Sequence, residues 1–317
     1  MKKFLKASLL VLPFLLAVTQ SHAQSYPAKP IRWLVPYPAG GGSDFLARTV
    51  GQALSVLVDN KPGGNTAIAA SETACAAPDG YTILSADNGT MVFNSALYSK
   101  LSYNPEKDLA PVTLMGRFPM ILVVGPGSDA KTAKDFIAKA KANPGSLSYG
   151  SAGAGSPHHL AMELLKVEAG LHMLHIPYRG AAPALVDVAG GQIPAMMVDM
   201  AAGAAFIKSG KIRPLAVANA TRLPQFPEIP TFAELGWKNV EAAALVGIVA
   251  PSGTAPDVIN TLQKQVSAVI SQPSIKQKLM DFGIEPVGST PQQFADLLRT
   301  ENVRWHKLIK TQQITLD

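Results

Sequence analysis

Short runs of aliphatic and β-branched residues alternate along this chain with longer segments whose apolar positions recur every three to four residues. The first run, IRWLV at 31–35, predicts a strand, and 44–54 predicts the helix after it. Strands at 56–59 and 81–86 bracket a second helix at 66–77. After the apolar run 120–124 the alternation resumes, with helices at 132–141, 158–169, 182–189 and 204–209 and strands at 147–150, 172–177, 195–199 and 214–218. A last run at 245–251 gives way to helices at 256–271, 273–282 and 291–311, with one short extended piece at 285–287. Each of these three helices opens on proline, whose missing N–H costs nothing in a first turn. The pattern predicts an α/β fold with largely parallel sheets covered on both faces.

The runs 121–124 and 247–250 bracket a middle block of ordinary domain size. The expected organisation is two lobes, residues 24–124 with 248–317 and residues 125–247, joined by two crossing strands. Such an arrangement closes by hinge motion around a ligand.

The first 23 residues read differently. Lys2, Lys3 and Lys6 precede an apolar stretch at 7–18, and Ser21-His22-Ala23 follows as a small-residue site. This is the layout of a secretory signal peptide cleaved after Ala23, and its apolar stretch is too short to span a bilayer. The expected location is the periplasm, with no stable membrane anchor. Cys75 is the one cysteine, which excludes an intramolecular disulfide, and its Ala-rich helix predicts a buried structural thiol. The formal net charge of +6 is spread without a Lys/Arg run, so the clustered basic face of a nucleic-acid binder is absent.

Candidate chemistry gathers at glycine-rich strand-to-helix loops. In PAGGGSD, Pro38, Ala39, Gly40, Gly41, Gly42, Ser43 and Asp44 join the first strand to the first helix, the layout of an anion site. Asp44 reads as the N-cap of that helix. No Gly-Lys-Ser/Thr follows, and the dinucleotide spacing is not met, which argues against a nucleotide. SAGAGS repeats the grammar, with Ser151, Ala152, Gly153, Gly155 and Ser156 before a helix that starts near Pro157. Its hydroxyls suit a carboxylate, and neither loop carries a lysine to meet a polyphosphate. His158 and His159 read chiefly as packing or capping the helix start, with His159 also counted as a ligand-facing candidate. The Gly-x-Ser-x-Gly elbow of a hydrolase is not matched around Ser151 or Ser156. His172 and His175 are spaced to face opposite sides of a strand, a poor metal pair. No cofactor or metal is expected. Arg179, Gly180 and Ala181 open another helix and offer a second anion contact, with a solvated Arg179 as the alternative. Asp199, at a strand's carboxyl end, either reads the ligand or caps the next helix. Asn88, Gly89 and Thr90 sit at another strand end, and the Tyr37 ring can lie on the ligand or pack.

Taken together, the stretches YPAKPIRWLVPYPAGGGSDFLAR, VDNKPGGNTAIAASETACAAPDGYTIL, YGSAGAGSPHHLAMELL, HIPYRGAAPALVDVAGGQIPAMMVD, PEIPTFAELG and APSGTAPDVINTL resemble the substrate-binding receptors of tripartite tricarboxylate transporters, the Bug or TctC-like family. The resemblance runs across nearly the whole chain after the leader. It implies a two-lobed periplasmic-binding-protein fold of type II kind: two mixed sheets flanked by helices, with two crossing hinge strands. It also implies a receptor without enzymatic activity that holds a small organic acid between its lobes through residues 38–44 and 151–156. Cargo would pass to a membrane permease with one large and one small subunit; a sensory role toward a membrane kinase is the alternative. Two departures stand out. The segment GQALSVLVDN lacks a usual turn, so the first helix must end near residues 51–53 or connect tightly. A tryptophan usual before the Gly247 strand is missing.

Overall fold

The computed structural model describes residues 26–317; the expected leader and its cleavage site lie outside them. In chain order the described residues form β1 (Ile31–Val35), α1 (Gly42–Gly51), β2 (Val56–Asn60), α2 (Ala67–Ala74) and β3 (Thr82–Asp87). Two short helices, α3 (Asn94–Leu97) and α4 (Pro105–Asp108), lead into a 16-residue strand, β4 (Leu109–Val124). Next come α5 (Ala133–Ala142), β5 (Ser148–Ser151), α6 (Pro157–Ala169), β6 (Leu174–Pro177), α7 (Ala181–Ala189), β7 (Ala195–Asp199), α8 (Met200–Lys208) and β8 (Arg213–Ala218). The remaining elements are β9 (Ala243–Pro251), α9 (Pro256–Ile270), α10 (Pro273–Asp281), β10 (Glu285–Pro286) and α11 (Pro291–Thr311).

These strands build two mixed sheets that share β4. In the first, β2, β1 and β3 run parallel, β9 lies antiparallel to β3, and residues 109–119 of β4 lie antiparallel to β9. From Met120 onward β4 pairs instead with β7 and β8. β7 continues into β5 and β6, all parallel. The chain returns at Ala242, whose N–H donates to the Ala218 carbonyl and whose own carbonyl accepts from the Met120 N–H. The two crossings therefore lie side by side, at 119/120 and 242/243, with Pro119 paired to Ala243.

Residues 120–124 are all buried, as a strand covered on both faces must be. The sequence pattern placed only this half of β4. Its first half is broken by Pro111, Gly116 and Pro119, and its pairing with β9 shifts register between Pro111 and Thr113 and between Leu114 and Gly116. Proline and glycine inside a strand mark such bulges, so a real strand reads as punctuation.

Other local readings hold or shift for simple reasons. α1 does end early, at Gly51, and the turn to β2 is tight enough that a Cβ on Gly51 would sit 2.7 Å from Val56 Cγ2. Cys75 is exposed rather than buried, because α2 ends at Ala74 and turns its C-cap outward. At the crossings no tryptophan fills the space. Ala242, Ala243 and Leu245 instead border a cavity of about 220 Å³ together with Arg117, Leu297 and Arg304.

α11 seals one side of the first sheet. A capping box between Thr290 and Gln293 starts it, and Phe294, Leu298 and Trp305 enter the core. The Phe294 ring lies so close to β9 that a Cβ on Gly247 would meet it at 2.4 Å and the Thr113 carbonyl at 2.8 Å. Glycine is required there for close approach, not for its dihedral freedom. Gly247→Ala is expected to destabilise the protein by about 1–3 kcal/mol through overpacking, read from urea denaturation. A shift below about 0.5 kcal/mol would show that α11 can move away freely.

Candidate functional site

Parallel strands send their following loops to one edge, and each sheet here has three such strands. The loops after β1, β2 and β3 leave the first sheet together, and those after β5, β6 and β7 leave the second. Ligands of open α/β sheets bind at such carboxyl edges. The two edges face each other and touch at two places. A Cβ on Gly42 would lie 3.5 Å from the Ala201 Cβ and 2.7 Å from the Phe118 ring. A Cβ on Gly155 would lie 2.7 Å from Leu97 Cδ1, 2.9 Å from Leu316 Cδ1 and 3.2 Å from Asn65 Nδ2.

The first loop delivers an uncapped helix. Gly41 is the N-cap of α1 and supplies no side-chain cap, so the Gly42, Ser43 and Asp44 amides have no intrahelical acceptor. Asp44 is therefore not the N-cap. It lies inside the first turn, and its carboxylate bends back to accept from the Gly40 N–H at 2.9 Å, Arg48 Nε at 3.0 Å and Asn60 Nδ2 at 2.9 Å. Burial works against the charged carboxylate, but Arg48, Gly40 and Asn60 together hold its pKa below the ordinary range. Pro38, Ala39, Gly40 and Gly41 are exposed, and Asp44 braces them from behind. Tyr37 donates its hydroxyl to Asp87 in a short hydrogen bond, and burial, then Asp87, pushes its pKa well up. The ring is thereby fixed beside the loop.

Asp87 also accepts from the Thr90 N–H at 2.9 Å and the Thr90 hydroxyl at 3.0 Å. Asn88, Gly89 and Thr90 are fully buried in or before a π-helical turn, Gly89–Phe93, so they sit behind Tyr37 and do not line an open surface. The Asn88 side-chain Oδ1 accepts from the Leu245 N–H at 2.6 Å, which ties this turn to β9 beside the crossing.

The second loop spends its hydroxyls on its own shape. Ser151 Oγ sits 2.7 Å from His175 Nε2 and bonds the Gly153 carbonyl and N–H. Ser156 donates to the Gly153 carbonyl at 2.6 Å and caps α6 by accepting from the His159 N–H. The Gly155 N–H donates to His159 Nδ1 at 3.0 Å. Within residues 152–156, the amides without an acceptor are those of Ala152 and Ala154. His159, read as packing the helix start, does so: its ring stacks on His175 at 3.8 Å, and His175 stacks on Tyr149 at 5.0 Å. Beneath them Tyr149 and Lys166 both donate to Glu163.

The third loop is tied to the second by Tyr178 N–H to the Ser151 carbonyl and Gly180 N–H to the Ala152 carbonyl, each 3.1 Å. Gly180, at φ 115°, caps α7 without a side chain, so the amide of Ala181 is again free. Arg179 is exposed and enters no ion pair among the described residues. Asp199 caps α8 through the Ala202 N–H, and its other oxygen lies 3.0 Å from His158 Nε2. Although burial disfavours its charge, the His158 hydrogen bond keeps its pKa below the ordinary value.

The sequence reading missed Asp87, His175, Asn65 and Thr66. Asn65 and Thr66 take left-handed dihedrals, φ 47° and 75°, ahead of α2. Asn94 bonds the Asn65 carbonyl and the two amides pair, while the Thr66 hydroxyl lies 2.9 Å from that of Thr90. A β-branched residue at positive φ persists only where neighbours hold it so.

Facing loop edges, free helix-start amides and two crossing strands define a two-lobed α/β solute-binding protein. The chain belongs to the tripartite tricarboxylate transporter receptor family, whose sequence profile, "Tripartite tricarboxylate transporter family receptor", matches residues 43–314. It is 33% identical to Protein BugT of Bordetella pertussis (strain Tohama I) over 295 residues, covering 91% of this chain and 90% of that one. Rpa4515 of R. palustris, solved with adipate, has 34% identity and a TM-score of 0.84, covering 90% of this chain and 98% of that one. MatC (Rpa3494) of Rhodopseudomonas palustris, solved with bound malate, has 28% identity and a TM-score of 0.79, covering 90% and 100%. The family is one of periplasmic solute-binding receptors.

The stacked histidines set an acid limit. Burial above all lowers His159 from 6.5 to about 3, with His175 and Lys166 adding to it, and burial lowers His175 from 6.5 to about 4. As pH falls below about 6.5, the unfolded chain takes up protons that the folded one refuses, so stability drops toward pH 4 and below. His159 alone accounts for a loss on the order of 3 kcal/mol over that window. Urea midpoints at pH 7, 5.5 and 4.5 should fall more gently in His159→Gln than in the wild type; parallel falls would assign the acid loss elsewhere.

Proposed function

We propose that this protein captures a small organic carboxylate between its two lobes in the periplasm, without chemistry, and delivers it to a two-subunit membrane permease. Sequence alone divides the lobes at 124/125 and 247/248; the strand pairing favours bending a few residues earlier, at 119/120 and 242/243, so the lobes we assign are residues 26–119 with 243–317 and residues 120–242. One observation carries the ligand class. Free backbone amides converge from both sides, from the uncapped start of α1 and from Ala152, Ala154 and the uncapped start of α7. Amides at helix starts favour an anion, and no lysine stands in either glycine loop to meet a polyphosphate.

Pro38, Ala39, Gly40, Gly41, Gly42 and Ser43 then receive one carboxylate, with Tyr37 against the ligand body. Ala152, Gly153, Gly180 and Ala181 take the other end, and Arg179 is free to swing toward it. Asp44, Asn88, Gly89, Thr90, Ser151, Gly155, Ser156, His159 and Asp199 hold these groups in place. The adipate and malate found with similar proteins favour a linear dicarboxylate.

A thermal-shift screen of the mature protein against mono-, di- and tricarboxylates and amino acids tests this reading. A ligand at about a thousandfold over its Kd adds roughly 4 kcal/mol. Stabilisation by neutral solutes with none by any carboxylate would overturn it. Gly41→Val is the sharper probe, because Gly41 has φ −79° and a Cβ there meets nothing closer than the Pro38 carbonyl at 3.7 Å. The variant should fold with an unchanged melting temperature and lose binding at least about a hundredfold, since several charge-assisted hydrogen bonds are blocked. Retained affinity would make the loop only structural.

A further inference from the structure

We propose that residues 314–317 form a strap that holds the two lobes together across one end of the cleft. The inference rests on the lobe closure described under Proposed function, but its evidence lies elsewhere in the chain. α11 does not simply stop at Thr311. Gln313 takes a left-handed φ of 54°, and the Ile314 N–H reaches back to the Ile309 carbonyl at 3.0 Å. That is a left-handed helix stop, and it reverses the chain. The next residues run beside the segment after α3: the Leu316 N–H donates to the Leu97 carbonyl at 2.9 Å, and Asp317 Oδ2 accepts from the Ser99 N–H at 2.5 Å. Ile314 and Leu316 pack on the large core cluster.

This places Leu316, carried by the first lobe, against Gly155 in the second lobe's ligand loop. A Cβ on Gly155 would be 2.9 Å from Leu316 Cδ1, and Gly155 at φ 74° has no side chain to fill that space. Gly155 also donates its N–H to His159, so the strap abuts the same loop whose Ala152 and Ala154 amides are free. The contact exists only while the lobes are together. Whatever it contributes favours the closed form over the open one, and an affinity for a ligand of the closed form rises with that population.

The test begins without ligand. Leu316→Ala, and separately Asp317→Ala, are compared with the wild type by small-angle X-ray scattering and by amide hydrogen exchange at Gly155 and Ser99. The strap predicts a larger radius of gyration and exchange at Gly155 faster by about tenfold in Leu316→Ala, with a smaller effect in Asp317→Ala. Exchange in α9 should not change. Unchanged scattering and Gly155 exchange would overturn the strap, as would a rise spread evenly through α9, which would mark global destabilisation. Adipate is then the binding probe: its dissociation should be about tenfold faster in Leu316→Ala, with association little altered. If the wild type does not bind adipate, the dicarboxylate reading loses its support, while the ligand-free measurements still decide the strap.

Discussion

Backbone N–H groups that no carbonyl can reach organise this molecule. Every helix leaves such groups at its start, and most proteins cover them with a serine, threonine or aspartate side chain. Here α5, α6, α8 and α11 are capped in that way by Thr132, Ser156, Asp199 and Thr290. At the sheets' carboxyl edges α1, α2 and α7 are not, and of these α1 and α7 open on glycine. The contrast gives the edge its chemistry. In the proposed function, capped helices there are scaffold, and the uncapped starts of α1 and α7 are what an anion would meet.

The polar side chains around the edge serve this arrangement more than they serve a ligand directly. Asp44 binds Gly40, Arg48 and Asn60, Tyr37 binds Asp87, and Ser151 and Ser156 fold the second loop onto Gly153. Each fixes a backbone conformation before a ligand arrives, which lowers the ordering cost of binding. The neutral histidine stack under the second loop belongs to the same economy, since aromatic faces pack without leaving a charge to be solvated.

Much of this was legible in the sequence. Strand–helix alternation located nearly every element because buried parallel strands must be continuous apolar runs. The two glycine loops were visible because glycine at a strand-to-helix junction has few other uses. What stayed hidden depended on distant partners. Nothing near Ser151 announces His175 across the sheet, and nothing in GGNT says that Asn65 and Thr66 will join Gly64 in the left-handed region. Asp44 was set as the cap because aspartate favours that position, while Gly42 and Ser43 proved to be helical. Cys75 was read as inward from its alanine neighbours, though it falls one residue past the end of α2.

Pro119 has a mechanical consequence. It stands at the last rung that β4 shares with β9, paired with Ala243, just before β4 enters the other sheet. Proline cannot donate there, and the segment that crosses beside it carries two small residues, Ala242 and Ala243, which border the cavity described above. A ribbon is easiest to twist where its stitching is thinnest. In the proposed closure, the twist would gather in this one short length of chain, so that each sheet keeps its own ladder while the other turns.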